Sequence, residues 1–283
     1  MTQMSVVDPQ HDRPSGAVPT IGTLAKVGRV LDVFAAGRVE VGVRELAVEL
    51  GISRSSAHAL LSSLAAINIL QRTARSKYCL GWRLLGLAGN VPEAAMLRRV
   101  APARLRSLAD FGFQSTHLAV FDGREMFFFA RAVAATGIAV AQATPGTTLP
   151  AHATASGKVL LGNLPNEHAL HDMLEGAMPR LSDRTIVDVP TLWAQVETVR
   201  SSGMAISREE TVRGVEAVAV PIRGADGRIV AALGVSMKAG LLDSYLTTYR
   251  RRLSATAAAI SADIQRETGD GPPSTVRGLA LEV

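Results

Sequence analysis

Residues 51–64 read GISRSSAHALLSSL, and this stretch decides the first fold assignment. Gly51 is suited to the left-handed turn that ends a helix. Ser53 is a good N-cap, because its hydroxyl can accept a backbone N–H from the turn that follows. Beyond it Ala57, Leu60, Leu61 and Leu64 recur at helical spacing and share one face. Just upstream, residues 44–50 form a short helix with Leu46, Ala47 and Leu50 inward. Two helices joined by the tight turn Gly51-Ile52-Ser53 predict a helix-turn-helix. With the apolar face inward, Arg54, Ser55, Ser56, His58, Ala59 and Ser62 face outward. Such a helix offers its first turns to base edges in the major groove. Arg44 and Ser53 complete the candidate DNA-reading set on this side.

Working outward, Leu24, Val27, Leu31 and Phe34 mark an amphipathic first helix. After Ala66 the pattern changes to a strand (69–72), a polar turn (Thr73-Ala74-Arg75-Ser76) and a returning strand (77–80). This hairpin reads as a wing whose Arg72, Arg75 and Lys77 neutralise phosphates. Residues 19–83 hold nine Lys/Arg (Lys26, Arg29, Arg38, Arg44, Arg54, Arg72, Arg75, Lys77, Arg83) against four acids (Asp32, Glu40, Glu45, Glu49). That excess of five equals the +5 of the whole chain, so the rest is balanced and the positive charge gathers where a polyanion would be held. The competing reading of these helices is a protein-docking module with a solvated polar face.

The chain has 283 residues, enough for two domains. From Trp82 a helical pattern crosses Pro92 and runs to about Val100, as a linker that also pairs with its copy, and Pro102 is expected to begin the next helix. Strands are expected near 115–121, 125–132, 136–143, 203–208, 214–223 and 228–238, with helices near 154–163, 166–174, 189–201 and 241–266. Asp122-Gly123-Arg124 and Ala225-Asp226-Gly227 read as hairpin turns, so the sheet is mainly antiparallel. The fold class is therefore α+β. The expected organisation is an arm (1–19), a winged helix-turn-helix (20–82), a linker helix (83–100), an effector-binding and oligomerising domain (101–266) and a disordered tail (267–283).

Hydrophobic residues make up 47% of the chain, yet no apolar run approaches the length that crosses a bilayer. The opening MTQMSVVDPQHDRPSG has no apolar core segment, so a soluble, cytoplasmic protein is expected. Cys79, the single cysteine, reads as a buried strand residue between Tyr78 and Leu80. An enzyme would need a nucleophile elbow, paired metal ligands or a phosphate loop around Cys79 or a serine with His117, His152 or His168. None of these patterns is present, so neither an enzyme nor a cofactor is expected.

The second candidate site begins at His152-Ala153-Thr154-Ala155-Ser156-Gly157-Lys158, where a loop enters an amphipathic helix. Free N–H groups at Ala155 and Ser156 can hold a carboxylate. Lys158 reads either as added positive charge or as a solvated first-turn residue, and His152 either as a structural hydrogen-bonding residue or as a ligand contact. Residues 125–129, EMFFF, hold three of the seven Phe residues. Alternation puts Met126 and Phe128 on one face and Phe127 and Phe129 on the other; either both faces are packed in the core, or the Met126 and Phe128 face, with Val140 of the strand 136–143, offers an apolar wall.

Several segments resemble the IclR family of bacterial transcription regulators: GISRSSAHALLSSL (51–64), YCLGWRLLGLA (78–88), LPAHATASGKVLLGNLP (149–165), and SREETVRGVEAVAVPI (207–222) followed by ALGVS (232–236). The resemblance implies a GAF-like sensor domain, dimers or dimers of dimers, and binding to palindromic double-stranded operators. It carries effector contacts onto Ala155, Ser156, Ser207, Ala217, Gly234 and Ser236. Two positions depart from the family pattern. Ala59 stands where a basic residue is common, and Ala217 where many members have a pocket cysteine. The expected function is a regulator, repression being the favoured output, controlled by a small organic acid with an aromatic catabolic carboxylate as the leading candidate.

Overall fold

A computed structural model describes residues 21–35, 37–110, 115–121, 125–134, 145–174 and 178–269. Two compact units divide between Leu80 and Gly81.

The first unit contains α1 (Gly22–Ala35), α2 (Val43–Leu50), α3 (Arg54–Ala66), β1 (Leu70–Arg72) and β2 (Tyr78–Leu80). Gly51 caps α2 at φ 64°, the left-handed conformation that turns the chain into α3. Val30, Val33 and Phe34 of α1 close over Leu46, Leu50, Leu61 and Leu64. The apolar stripe of α1 is corrected here: Leu24 is exposed and Val27 and Leu31 are only partly buried, because the packed side lies in the helix's second half. β1 and β2 pair antiparallel, and Cys79 in β2 is partly exposed where full burial was expected, because only Tyr78 of this strand turns into the core. Val41 and Tyr78 exchange two backbone hydrogen bonds of 2.8 Å, which fix the hairpin to the segment before α2.

The second unit contains α4 (Trp82–Gly89), α5 (Pro92–Asp110), β3 (Ser115–Phe121), β4 (Met126–Val133), β5 (Thr148–Leu149), α6 (Ala155–Leu161), α7 (Glu167–Leu174), α8 (Val189–Ser202), β6 (Ala205–Arg208), β7 (Val215–Arg223), β8 (Ile229–Lys238) and α9 (Leu242–Gly269). The six strands run β5-β4-β3-β8-β7-β6, every neighbouring pair antiparallel. One face packs on α5 and α9 through Leu105, Leu118, Leu233, Val235, Leu253 and Ile260. The other packs on α6 and α8 through Ala119, Ala219, Ala232, Val159, Leu160 and Val196. In β3, β7 and β8 Leu118, Val218, Leu233 and Val235 point to the first face and the smaller Ala119, Ala219 and Ala232 to the second, so α6 lies close against these strands. A Cβ at Gly157 would meet the Ala151 carbonyl oxygen at 2.2 Å, so this residue has no room for a side chain.

The linker departs from expectation. The helical pattern breaks at Asn90 and Val91, and α5 begins at Pro92, where a missing N–H takes nothing from the helix. Pro102 lies inside α5 rather than starting a helix. Leu97, Ala101, Leu105 and Leu108 carry the helix through it by packing on the sheet. α9 continues past Arg266 to Gly269. The hairpin turn 122–124, the strand 136–143 with Val140, the arm 1–19 and residues 270–283 lie outside the described residues.

Candidate functional site

In the second unit a cavity of about 40 Å³ lies between α6 and the sheet. Thr154, Ala155 and Ser156 line it where α6 begins, and Leu149 and Phe128 line a second side. Its floor follows from strand register. Ser207 pairs with Ala217, and Ala217 with Ser236, so three residues far apart in sequence form one row across β6, β7 and β8. Thr211, Val212 and Val215 complete the wall.

His117 of β3 also lines the cavity. Its neighbour across β8 is Gly234, where a Cβ would stand 2.3 Å from His117 Nε2 and 2.9 Å from Ser156 Oγ. Gly234 is therefore not itself a lining residue; it leaves the space in which the histidine and the serine meet. His117 Nε2 lies 3.0 Å from Ser156 Oγ, and the ring stands edge-on to Phe128 at 5.1 Å. Its Nδ1 is buried without a partner among the described residues. Burial, helped by the charge of Arg131, pushes the His117 pKa down to about 4, so the ring is neutral near pH 7.

Lys158 is fully buried, contrary to both sequence readings. Its ammonium donates to both Glu210 carboxylate oxygens at 2.6 Å and to the Ile206 carbonyl at 3.2 Å. Burial pushes its pKa down while Glu210 pulls it up. It is thus a clasp on the 209–214 segment and not a charge offered to a ligand. The same segment is held by Ser182 Oγ donating to the Glu209 carbonyl at 2.7 Å and Thr185 Oγ1 to that of Glu210 at 2.7 Å. Thr211 Oγ1 donates to the Ala153 carbonyl at 2.7 Å. Glu209 takes φ 59°, an unusual conformation for a residue with a side chain, which these bonds hold in place.

Of the other residues singled out from sequence, Met126 is core and does not line the cavity. His152 is buried beside it, with Nε2 3.1 Å from the Pro179 carbonyl, which fits its structural reading. α6 has seven residues, and the Thr154 hydroxyl already accepts the Gly157 N–H, so the free donors at its start are fewer than the sequence suggests.

In the first unit Arg54, Ser55, His58 and Ala59 are exposed on α3. Ser53 accepts the Ser56 N–H at 3.1 Å and so serves as the helix cap. Ser62 is half-buried, its hydroxyl 3.4 Å from that of Tyr78, and it does not join the outward row. Arg44, Arg54, Arg72 and Arg75 are exposed and free of ion pairs among the described residues. Lys77 donates to Glu45 at 2.9 Å, which with the Gly42 N–H lowers the carboxyl pKa of Glu45. The wing's free positive charge therefore comes from its two arginines.

The sequence pattern of the IclR helix-turn-helix domain matches residues 23–74, and that of the bacterial transcriptional regulator IclR C-terminal domain matches residues 91–262. The chain belongs to the IclR family. Among its relatives is the HTH-type transcriptional regulator XynR of Escherichia coli, 30% identical over 86% of this chain and 97% of that protein. The p-hydroxybenzoate hydroxylase transcriptional activator of Acinetobacter baylyi is 32% identical over 75% of this chain and 80% of its own. A crystal structure of an IclR homolog complexed with 4-hydroxybenzoate, from Microbacterium hydrocarbonoxydans, is similar with TM-score 0.75 and 26% identity, covering 86% of this chain and 99% of that one. No helix among the described residues is long and apolar enough to cross a membrane.

Sequence reasoning considered His117 only as part of an enzyme and did not find Leu149, Thr211, Val212 or Val215. Alternation along β3 sends His117 to the face of Ala119, but the glycine opposite it belongs to β8, a pairing that sequence spacing does not show.

Proposed function

We propose that this IclR-family chain is a cytoplasmic, dimeric or tetrameric regulator whose affinity for a palindromic operator is set by a small organic acid bound between α6 and the sheet. It is a binding protein and not an enzyme. The observation that carries the reading is the row Ser207, Ala217 and Ser236 facing the start of α6 around a mostly apolar cavity. The carboxylate is held by neutral donors, the hydroxyls of Ser156, Ser207 and Ser236 with the N–H groups of Ala155 and Ser156. Ala217 keeps its part of the wall small, which suits an aromatic ring once the cavity widens. The organisation is an arm, a DNA-reading unit to residue 82, a linker to residue 100, a sensor to residue 266 and a tail.

About 40 Å³ holds a few waters and not an aromatic acid, whose sites span roughly 300–1,000 Å³. Binding therefore requires the cavity to widen. A ligand shifts operator affinity only by preferring one of two states. Opening supplies that second state. In the DNA-reading unit Arg54, Ser55, Ser56 and His58 read bases while Arg44, Arg72 and Arg75 hold phosphates. The exposed Trp82, Leu85 and Leu87 of α4 form the contact with a second copy.

The test is selection of bound duplexes from a random pool, followed by retardation of the selected duplex with and without benzoate, 4-hydroxybenzoate and aliphatic acids. A selected palindrome released or retained by one of these acids is expected. Binding that is indifferent to sequence, or a thermal shift given only by cationic compounds, overturns the reading.

A further inference from the structure

We propose that His117 and Ser156 form one recognition pair, in which Ser156 donates its hydroxyl proton to the effector's carboxylate while His117 Nδ1 accepts a proton from a hydroxyl on the same effector. This rests on the reading of the cavity as an organic-acid site and names the effector's class within it: a hydroxylated acid.

A neutral imidazole carries one N–H, on either nitrogen. His117 Nε2 and Ser156 Oγ are 3.0 Å apart, and their bond can form in two ways. If Nε2 holds the proton it donates to Ser156, the serine keeps its own proton for another partner, and Nδ1 is a bare acceptor. If Nδ1 holds the proton, the serine donates to Nε2, its remaining lone pairs are the acceptors, and Nδ1–H needs one. In either state the pair offers the cavity one donor and one acceptor, never two of a kind. A carboxylate at Ser156 selects the first state and leaves Nδ1 calling for a donor. That nitrogen is buried and without a partner among the described residues, and both side chains line the cavity. A buried acceptor left unpaired is unfavourable, so a ligand hydroxyl that reaches it is preferred over the same ligand without one.

Two neighbouring polar groups are already committed, and the hydroxyls of Ser207 and Ser236 are those assigned to the carboxylate. The Lys158 ammonium is spent on Glu210 and the Ile206 carbonyl. Thr211 donates to the Ala153 carbonyl. Gly234 admits the pair, since a Cβ there would overlap both members.

The test uses the full chain and titration calorimetry with matched ligands: benzoate, 3-hydroxybenzoate and 4-hydroxybenzoate, then propionate and 3-hydroxypropionate. At least one hydroxy acid is expected to bind about tenfold or more tighter than its parent. His117→Gln keeps a donor near the Nε2 position and places nothing at Nδ1. It is expected to erase the hydroxyl preference, so that it binds the parent and the hydroxy acid alike within about threefold. His117→Asn, which restores an acceptor near Nδ1, should recover part of that preference. A preference that survives in His117→Gln, or no preference in wild type although acids bind, overturns the pair while leaving the acid site standing. Failure of every acid to bind wild type overturns the acid site and the pair together. Should His117→Gln not fold, ¹⁵N spectra of the wild-type ring decide: the hydroxy acid should fix the Nε2–H form, and a charged ring or the Nδ1–H form in that complex overturns the proposal.

Discussion

Both carboxylate oxygens of Glu210 lie 2.6 Å from the Lys158 ammonium, joining the helix that begins the cavity to the segment that closes it. Lys158 is wholly buried and Glu210 nearly so, so neither charge can return to water when the other is removed.

Breaking that pair from one side should be severe. Lys158→Met is expected to lower unfolding free energy by about 3–5 kcal/mol, because a carboxylate is left buried alone. Adding Glu210→Leu to the same chain should recover much of the loss. Urea denaturation of the two variants measures this, and a single variant within about 1 kcal/mol of wild type would show the clasp to be unimportant.

His117 makes stability fall on acidification. Its folded pKa is lowered from 6.5 to about 4, so between those values the unfolded chain binds a proton that the folded chain does not. Its contribution is complete above pH 6.5 and is lost as pH falls toward 4, by about 3 kcal/mol in all. Denaturation midpoints across that window should drop less steeply for His117→Gln than for wild type. Parallel curves would contradict the buried, neutral ring.

Gly234→Ala should overpack the site. The new methyl would overlap His117 Nε2 and Ser156 Oγ, and displacing them is expected to lower stability by about 1–3 kcal/mol. Combining it with His117→Ala removes one of the obstacles and should restore part of the melting temperature. No rescue in the double variant would mean the strain lies in the backbone.

On the DNA-reading face, Arg54→Ala should leave stability within about 0.5 kcal/mol and weaken specific binding by about 1–3 kcal/mol, as expected for an exposed side chain that meets a base edge. Ser62→Ala, behind it against Tyr78, should leave DNA affinity nearly unchanged.

The wing is tested by salt. Replacing Arg72 and Arg75 with alanine should reduce the slope of log K against log salt by about 2, one unit for each phosphate that is no longer neutralised. Lys77→Ala should change it less, since Glu45 already holds that ammonium. Equal effects of Lys77 and the arginines would show that the ion pair opens on DNA.

Much of the fold was legible because it depends on neighbours in sequence. Gly51 and Ser53 announce the turn and the cap, and the Ala57, Leu60, Leu61, Leu64 stripe gives the face of α3. The long strands of the sheet and α9 declared themselves by period and by turns such as 225–227. What sequence misread depends on partners far along the chain. A lysine in the first turn of a helix reads as solvated until Glu210, 52 residues on, is seen beside it. Ser62 sits on the outward side of a helical wheel, yet the tyrosine of a later strand covers it. Pro102 looks like a helix start because local rules cannot see the packing of Leu105 and Leu108 that carries α5 through it. Seven of the eleven effector residues expected from sequence line the cavity: Phe128, Thr154, Ala155, Ser156, Ser207, Ala217 and Ser236. Met126, His152 and Gly234 stand behind or beside it, and Val140 lies outside the described residues.

Each strand of the sensor sheet serves two layers that alternate residue by residue. In β7, Val218 and Val220 belong to the α5 and α9 side, whereas Ala217 and Ala219 belong to the α6 side. A change of chemical taste is therefore separable from the strength of the scaffold. Substitutions at the few positions of the α6 layer that line the cavity, Ser207, Ala217 and Ser236, can alter which molecule is welcomed while the opposite layer keeps the sheet in shape. Such an arrangement lets descendants of one ancestor drift toward new signals by single steps. It also marks Ala217 and Ser207 as the first positions to randomise when a biosensor for a chosen compound is wanted.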